Sequence, residues 1–543
     1  MPHLIWHHLI RLVGLLTLFV LLVPGTASAD RYVITLDPAV ADEPVSGRLM
    51  LLFITESGGR WERISPMEDA PFFDPPQPIA SVEVRDLKPG ESVIVDGSVH
   101  AFPKPLSELS GRVRVQAVLR TDWTERALSD GPGNLYSDVK VVELDPERDD
   151  RIELSLTNTV TAERPTRRAR NVRYVELRSE ILSEFYGRDV YHRVGVALPN
   201  GHPDVTHRAG FAQPSSPDDV APHEREWPAV YVIPGYGGRY TRIDRYGLML
   251  EAAAPEFAPE AVFIIPDPES PLGHHAFIDN ENHGPRGTAF VTELIPHLER
   301  EFRLAARPEG RLLYGHSSGG WTVLWLQLHW PQVFGMCWSS APDPIDFRRF
   351  QRTNIYEEPN LYFEAEGVET PSYRQTSVHD VETVLMTVRQ EGLMEYAMHP
   401  HGWSGQQWDA WEAMFSPKDP ESGLPKPMYN GLTGEIDREV AEQWRRYDMS
   451  HLVSTNWEHF GPIVRDQVRI VCGTHDSYYL NLAVELFAER VRTLATQSGW
   501  DLDEHPHYVW MIDGASHGGV VDLSTQRIHN EMKAYFRQHG LHD

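Results

Sequence analysis

Strand-like and helix-like segments alternate along the last two-thirds of the chain, and this alternation constrains the fold more than any other sequence feature. Two apolar runs come first, at 172–178 and 190–198. Later strand-like runs lie at 229–234, 261–266, 311–314, 333–338, 468–472 and 508–512, and helix-like segments at 289–302, 321–328, 480–495 and 524–538. Alternation of this kind predicts an α/β domain over 172–543, with a mostly parallel sheet and helices on both faces.

One long segment, residues 344–467, interrupts the alternation between two strands that we expect to be neighbours. Three sets of apolar residues within it recur at helical spacing: Val378, Val381, Leu385 and Val388; Trp408, Trp411 and Phe415; and Ile436, Val440, Trp444 and Tyr447. Ser377 is a candidate N-cap for the first set. We therefore predict a large helical insertion. It is either a lid that shapes a binding site or a structural element whose aromatic side chains pack against the sheet.

The residues before this domain favour an all-β structure. Short strand-like runs separated by turns fill 32–156. In the clearest run, 112–120, apolar residues alternate with Arg112, Arg114, Gln116 and Arg120, which predicts one buried and one solvated face. The pattern is typical of a sandwich-like domain, here over 30–160. A polar, arginine-rich stretch at 161–171 is the expected linker.

Residues 1–29 have the pattern of a secretory signal peptide. Arg11 precedes an apolar run at 12–23, and the small residues 27–29 follow a Pro-Gly break. The run is too short to span a bilayer comfortably, although an uncleaved anchor is the alternative. We expect a mature chain that begins at Asp30, is exported to the periplasm or the extracellular space, and has no stable membrane insertion after cleavage.

Charge and cysteine content exclude several classes of protein. The 543 residues include 78 acidic and 50 basic residues, for a net charge of −28. Such an acidic surface repels phosphate groups, so we expect no nucleic-acid partner. The two cysteines, Cys337 and Cys472, are too few for a disulfide-built scaffold or a cysteine-rich metal site. We favour two buried free thiols over a disulfide between them.

A sharp turn at Gly315-His316-Ser317-Ser318-Gly319 matches the GxSxG pattern. A strand-like run precedes it and a helix-like segment follows, which is the context in which a serine hydroxyl projects from the end of a sheet. Ser318 lacks a glycine two residues before it, so Ser317 is the candidate nucleophile. The alternative is a glycine-rich turn without chemistry.

A serine hydroxyl is a poor nucleophile until a base takes its proton. His517 follows the run at 508–512, and Asp476 follows the run at 468–472, so both should lie with Ser317 at one edge of the sheet. His517 is the candidate base and Asp476 the acid that orients it. Asp513 is the rival acid, and we interpret His475 as a residue at the rim of the site.

The oxyanion of a tetrahedral intermediate needs hydrogen-bond donors. We expect one from the backbone amide of Ser318. The other should come from the glycine-rich loop 234–238, from the amide of Tyr236 or, as the near alternative, Gly237.

These residues resemble the α/β-hydrolase superfamily and, more narrowly, its esterases related to enterochelin esterase and esterase D. The resemblance rests on the serine motif and on segments 183–191, 234–238, 282–285 and 293–296, and it covers most of 170–340 and 468–543. It implies an α/β-hydrolase fold and hydrolysis of carboxylic esters, or acyl transfer in some relatives. The 344–467 insertion is far longer than the short cap that such proteins usually have.

Several histidines elsewhere in the chain are possible metal ligands. The clusters are His274-His275, His283, and His399 with His401. None has HxxxH spacing with a following acid, so we predict no catalytic metal and no cofactor. His274 and His275 follow a strand and are candidates for lining the pocket.

The sequence thus predicts an exported serine hydrolase that cleaves a small-molecule or glycan-linked ester through a Ser-His-Asp triad and an acyl-enzyme. The alternatives are an acyltransferase with the same triad, a serine peptidase, and an inactive binding protein with this fold. A peptidase similar to prolyl oligopeptidases is disfavoured because the N-terminal residues have no propeller-like repeats. Nothing in the sequence indicates the oligomeric state.

Overall fold

A computed structural model describes the chain at 31–56, 61, 63–69, 76–148, 150–161, 165–206, 226–252, 258–377, 379–501 and 508–541. The expected signal peptide, residues 1–29, lies outside the described residues. Within those ranges, no helix has the length and apolar character that a membrane span requires.

The N-terminal residues form one sheet of nine strands. Its strands, with one short helix after the second, are β1 Arg31–Leu36, β2 Val45–Thr55, α1 Pro66–Asp69, β3 Ile79–Leu87, β4 Ser92–Val95, β5 Ala101–Phe102, β6 Gly111–Arg120, β7 Leu135–Ser137, β8 Lys140–Leu144 and β9 Arg151–Thr159. The order is β4-β1-β9-β7-β6-β2-β3-β5, with β8 paired to β6. Only the β1–β9 pair of this sheet is parallel among the described strands.

This sheet curls around its own core. Tyr32 of β1 meets Phe53 of β2 edge-on, with ring centroids 5.5 Å apart, although three strands separate β1 from β2 in the sheet order. Leu51 and Val115 are fully buried beside them. The domain predicted to be sandwich-like is therefore built from one continuous sheet that folds over its own core.

The second sheet has eight strands. Up to the insertion, the part of the chain that builds this sheet contains β10 Val172–Arg178, α2 Glu180–Tyr186, β11 Tyr191–Ala197, α3 Pro203–Thr206, β12 Ala229–Ile233, α4 Ile243–Ala252, β13 Val262–Pro266, two separate short hairpins formed by β14 Glu269–Ser270 with β15 Gly273–His274 and by β16 Asp279–Asn280 with β17 Gly284–Pro285, then α5 Arg286–Ala289, α6 Ile295–Phe302, β18 Arg311–His316, α7 Ser318–His329 and β19 Met336–Ser340.

The insertion contains β20 Pro371–Thr376, β21 Glu382–Thr387, α8 Val388–Met398, α9 Gln407–Phe415, α10 Arg438–Trp444, α11 Met449–Thr455 and α12 Trp457–Gln467. The closing elements are β22 Val468–Gly473, α13 Leu480–Gln497, β23 Val509–Ile512 and α14 Gly519–Gln538.

The sheet order is β10-β11-β13-β12-β18-β19-β22-β23. Strand β11 runs antiparallel to both of its neighbours, and the six strands from β13 to β23 are parallel to one another. The prediction of a mostly parallel sheet is confirmed. Because parallel strands end at the same edge, the residues that follow β12, β18, β19, β22 and β23 are brought together there.

The helix predicted through Val381 and Leu385 is wrong. Strands β20 and β21 form a hairpin, closed by a hydrogen bond from the Ser377 amide to the Val381 carbonyl. Helix α8 begins only at Val388, where Thr387 and Gln390 form a reciprocal capping box. Val381 is 61% exposed, so the apolar spacing did not mark a helical face directed at a core. Val378, from the same predicted set, lies outside the described residues.

Of the other two sets, the one at Trp408, Trp411 and Phe415 lies on a helix as predicted, and the one from Ile436 to Tyr447 lies on a helix only in part. Trp408, Trp411 and Phe415 are buried on α9. Val440 and Trp444 are buried on α10, and Tyr447 follows in a 3-10 turn while Ile436 precedes the helix.

The solvated face predicted for β6 is wrong beyond its first residues. Gln116 and Arg120 are buried, and Val118 packs in a second apolar cluster with Met394 and Met398 of α8. The insertion therefore covers the outer face of the N-terminal sheet. Ser81 of β3 strengthens this contact by donating from its hydroxyl to the carbonyls of α8, including that of Met398 at 2.9 Å.

Candidate active site

The turn between β18 and α7 holds Ser317 in an uncommon backbone conformation, with φ 61° and ψ −128°. Two glycines make so tight a turn possible. A Cβ at Gly315 would lie 2.1 Å from the carbonyl oxygen of Gly319, and one at Gly319 would lie 2.0 Å from that of Ile233. The strain of order 1–3 kcal/mol that such a conformation stores is typical of functional sites. The turn puts Ser317 at the carboxyl edge of the sheet.

His517 and Asp476 meet at this edge. Nδ1 of His517 lies 2.7 Å from Oδ2 of Asp476. The other carboxylate oxygen of Asp476 accepts the amides of Tyr478 at 2.9 Å and Leu480 at 3.2 Å, so the fully buried carboxylate is held on both sides. The rival, Asp513, is exposed and instead accepts from the Thr474 hydroxyl at 3.2 Å.

The two partners shift each other's pKa values in opposite directions. Burial lowers the pKa of His517, but the charges of Asp476 and Asp343 outweigh burial, and the net pKa is raised above 6.5. Burial raises the pKa of Asp476, but His517 and the two backbone amides outweigh it, and the net pKa is lowered. The pair therefore favours the charged carboxylate beside a histidine that holds its proton more tightly than usual.

Asp343, which is not among the predicted site residues, contacts the candidate nucleophile directly. Its Oδ1 lies 3.5 Å from Oγ of Ser317, and its Oδ2 accepts from Oγ of Ser318 at 2.7 Å and from Nε1 of Trp411 at 2.8 Å. Asp343 is 3% exposed, and burial raises its pKa. A signal was available, because Asp343 follows β19 as Asp476 follows β22.

The imidazole of His517 lies beside the nucleophile turn. Its ring stacks at a tilt on that of His316, with centroids 4.4 Å apart, and meets Tyr478 edge-on at 5.0 Å. In this arrangement of the described residues, the hydroxyl of Ser317 is hydrogen-bonded to Asp343 and not to His517. A hydroxyl turns about a single bond, and catalytic hydrogen bonds often form only with substrate present.

The loop after β12 lies against Ser317. A Cβ at Gly235 would lie 2.9 Å from Cβ of Ser317. The amide of Gly237 donates to Oε1 of Glu269 at 3.2 Å, so this candidate oxyanion donor already has a partner. Tyr236 is the better candidate, together with the amide of Ser318 at the first position of α7, where helix amides have no intrahelical acceptor.

Parts of the insertion lie over this loop. The hydroxyl of Tyr236 donates to the carbonyl of Gly405 at 2.8 Å and lies 3.0 Å from Oε1 of Gln406. Trp411 of α9 reaches Asp343, as described above. The insertion therefore contacts both the candidate oxyanion loop and the carboxylate beside Ser317.

The other histidines have structural contacts. His475 lies 3.4 Å from Asp380 and is 23% exposed, in keeping with a position at the rim. His274 and His275 are buried, and Nε2 of His274 lies 3.0 Å from the carbonyl of Pro234, at the base of the candidate oxyanion loop. Among the described residues, no cluster of histidine, cysteine, aspartate or glutamate is arranged to hold a metal ion.

Comparison with known proteins identifies the family. The family described as "Putative esterase" matches residues 215–520, which is more than half of the chain. The chain belongs to this family. It is thus an esterase, and its strand order is that of the α/β-hydrolase fold predicted from the sequence.

Solved structures similar to this esterase include a ferulic acid esterase, with 13% identity and a TM-score of 0.38 over 67% of this chain and 97% of that one. An S-formylglutathione hydrolase from Agrobacterium tumefaciens has 14% identity and a TM-score of 0.32 over 68% and 94% of the two chains. The ferulic acid esterase AmCE1/Fae1A from Anaeromyces mucronatus, solved with ferulic acid, has 11% identity and a TM-score of 0.31 over 67% and 89%. No curated protein matches the sequence.

Proposed function

We propose that this esterase is a serine hydrolase that cleaves carboxylic esters through an acyl-enzyme formed on Ser317. The observation that carries the proposal is the 2.7 Å contact between His517 and Asp476 beside the strained turn at Ser317. An imidazole held by a buried carboxylate next to a projecting hydroxyl is the arrangement that activates serine.

In the proposed reaction, Oγ of Ser317 attacks the ester carbonyl carbon while Nε2 of His517 takes the hydroxyl proton. Asp476 holds the proton on Nδ1 and stabilises the imidazolium. The amides of Ser318 and Tyr236 donate to the oxyanion. When the tetrahedral intermediate collapses, the alcohol leaves with the proton from His517. Water then attacks the acyl-enzyme by the same route and releases the carboxylic acid.

The proposal includes export and a three-part organisation. Residues 1–29 direct export to the periplasm or the extracellular space. Residues 30–160 form an N-terminal β domain, 161–171 a linker, and 172–543 the catalytic domain, with 344–467 as its lid. The contacts of Tyr236 with Gly405 and Gln406 support the lid.

Labelling with a fluorophosphonate tests the mechanism. We expect the mature protein to lose ester hydrolysis as the reagent reacts, with the adduct on the peptide that contains Ser317, and Ser317→Ala to be neither labelled nor active. Ser422→Ala, at an exposed serine of the insertion, is the matched control and should react normally. An adduct on another residue, or equal turnover by Ser317→Ala, rejects the proposal. A panel of p-nitrophenyl and feruloyl esters of different chain length then defines the acyl group.

Acyl transfer by the same triad is the second candidate. The contacts of the insertion with Tyr236 and Asp343 favour it, because an insertion beside the nucleophile helps to exclude water from the acyl-enzyme. Product analysis with and without an added alcohol separates the two reactions. A new ester formed in preference to the free acid supports transfer, and free acid alone supports hydrolysis.

A further inference from the structure

A loop of the N-terminal sheet reaches the candidate oxyanion loop. Residues 121–134 connect β6 to β7. The carboxylate of Asp122 accepts the amides of Thr124 at 3.1 Å and Glu125 at 2.9 Å. The side chain of Arg120 donates to the carbonyl of Glu125 at 2.9 Å. These contacts fix the turn that precedes Arg126.

The side chain of Arg126 crosses to the second sheet. Its guanidinium forms an ion pair through Nε with Glu269 and donates from Nη1 to the hydroxyl of Tyr236 at 3.1 Å. It also lies over the Tyr236 ring, 4.8 Å from the centroid. Arg126 is 15% exposed and Glu269 is 3% exposed, so water screens this pair little.

Glu269 connects Arg126 to the backbone of the oxyanion loop. One carboxylate oxygen pairs with Arg126, and the other accepts the amide of Gly237 at 3.2 Å. Gly237 has a φ of +71°, in the left-handed region that favours glycine. Tyr236 is thus held at its hydroxyl by Arg126, and the residue after it is held through Glu269. Removing Arg126 leaves Glu269 as a buried charge without its partner, which is costly.

We propose that Arg126 is a positioning residue for the candidate oxyanion loop, residues 234–238. The N-terminal sheet then completes the active site at the edge of the eight-stranded sheet. The proposal rests on the proposed function, because it assigns the Tyr236 amide to the oxyanion. Arg126 acts through Tyr236 and Glu269 and does not touch the reacting atoms. Its planar fork suits the task, because one guanidinium bonds a carboxylate and a hydroxyl at once.

The test compares three variants. Arg126→Ala removes all of these contacts, and Arg126→Lys keeps the charge without the fork. Arg193→Ala is the matched control, because it removes another ion pair between the same loop, at Glu125, and the second sheet, without contacting Tyr236 or Glu269. Melting temperatures are measured for all three.

We expect Arg126→Ala to lower kcat roughly 10²-fold, as the loss of an oxyanion donor does, with little change in KM. Arg126→Lys should fall between Arg126→Ala and the wild type, and Arg193→Ala should keep the wild-type kcat. If Arg126→Ala fails to fold, the partial loss in Arg126→Lys provides the test.

A second readout separates positioning from general damage. The rate with an ester is compared with the rate for the thionoester that has sulfur in place of the carbonyl oxygen, since sulfur is larger and a weaker acceptor. A formed oxyanion site prefers oxygen, so this preference should shrink in Arg126→Ala and Arg126→Lys but not in Arg193→Ala. A kcat loss no greater than that of Arg193→Ala, or an unchanged preference, overturns the proposal.

Failure of the proposed function gives a different result. If the proposed function is wrong, the wild-type protein and Ser317→Ala hydrolyse the ester at the same rate. Crystal structures of Arg126→Lys and Arg193→Ala then test the positioning alone. If the 234–238 loop is displaced in Arg126→Lys but not in Arg193→Ala, the role of Arg126 is supported. If the loop is unmoved in both variants, that role is rejected.

Discussion

One carboxylate oxygen of Asp476 lies 2.7 Å from Nδ1 of His517, and the other accepts hydrogen bonds from the backbone amides of Tyr478 and Leu480. This contact favours the tautomer with the proton on Nδ1, so Nε2 is the ring nitrogen that remains for the proposed proton transfer. The exposed Asp513 has no comparable contact with His517 among the described residues.

Replacing Asp476 with asparagine should remove most of the activity. The amide side chain would favour the wrong tautomer of His517, so we expect Asp476→Asn to lower kcat roughly 10³–10⁴-fold in steady-state assays with an activated ester. Asp513→Asn is the matched control and should retain activity. If Asp513→Asn were the damaging change, the assignment of the acid would be reversed.

The pH dependence of kcat/KM should reflect the raised pKa of His517. The base must be neutral to accept a proton, so activity should fall with decreasing pH through an apparent pKa above 6.5. Asp343 contributes to that rise, so Asp343→Asn should move the acid limb to lower pH. Asparagine can still accept from Ser318 and Trp411, which limits damage to the fold. An acid limb that stays in place or moves upward contradicts the role of Asp343.

The nucleophile turn should be intolerant of a single added methyl group. In Gly319→Ala the new Cβ meets the backbone oxygen of Ile233 at 2.0 Å, and we expect a loss of about 1–3 kcal/mol in unfolding free energy. Gly518→Ala is the control, because a Cβ there meets no described atom within 4 Å and φ is −76°. Urea titration checks both. Equal midpoints for the two variants would mean that the turn is not tightly packed.

Packing of α8 on the N-terminal sheet should contribute measurably to stability. Met394 is fully buried beside Met50 and Leu52, and Met394→Ala should cost about 2–5 kcal/mol in urea unfolding. Val381→Ala, at an exposed position of the same insertion, should change little. A small effect of Met394→Ala would show that α8 detaches from the sheet readily.

The two cysteines are free and buried, as preferred from the sequence. Burial raises the pKa of Cys337 to about 12 and raises that of Cys472 well above its usual value. We expect a thiol reagent at pH 8 to leave the native protein unmodified and to react with both residues in denaturant without reductant. No reaction in denaturant would indicate a disulfide.

Much of the sheet could be predicted because its signals are local. The run that became β6 alternates apolar and polar residues, those that became β18 and β22 are largely apolar, and all three are bounded by turns, which is enough to predict a strand. The hairpin at β20–β21 was missed because its spacing of apolar residues also fits a helix, and only the exposure of Val381 in the folded chain separates the two. The burial of Arg120 was missed because it involves the insertion, far along the chain, where the carbonyl of Trp403 lies 3.5 Å from Nη1 of Arg120.

The sequence by itself determined the order of Ser317, Asp476 and His517 and the glycines that make the serine turn possible, since each of these depends on neighbours a few residues away. Only the tertiary structure decided that Asp343 contacts Ser317 and that Arg126 and Glu269 contact the candidate oxyanion loop. Those side chains come from separate strands and separate sheets, and no local pattern records which of them meet when the sheets pack.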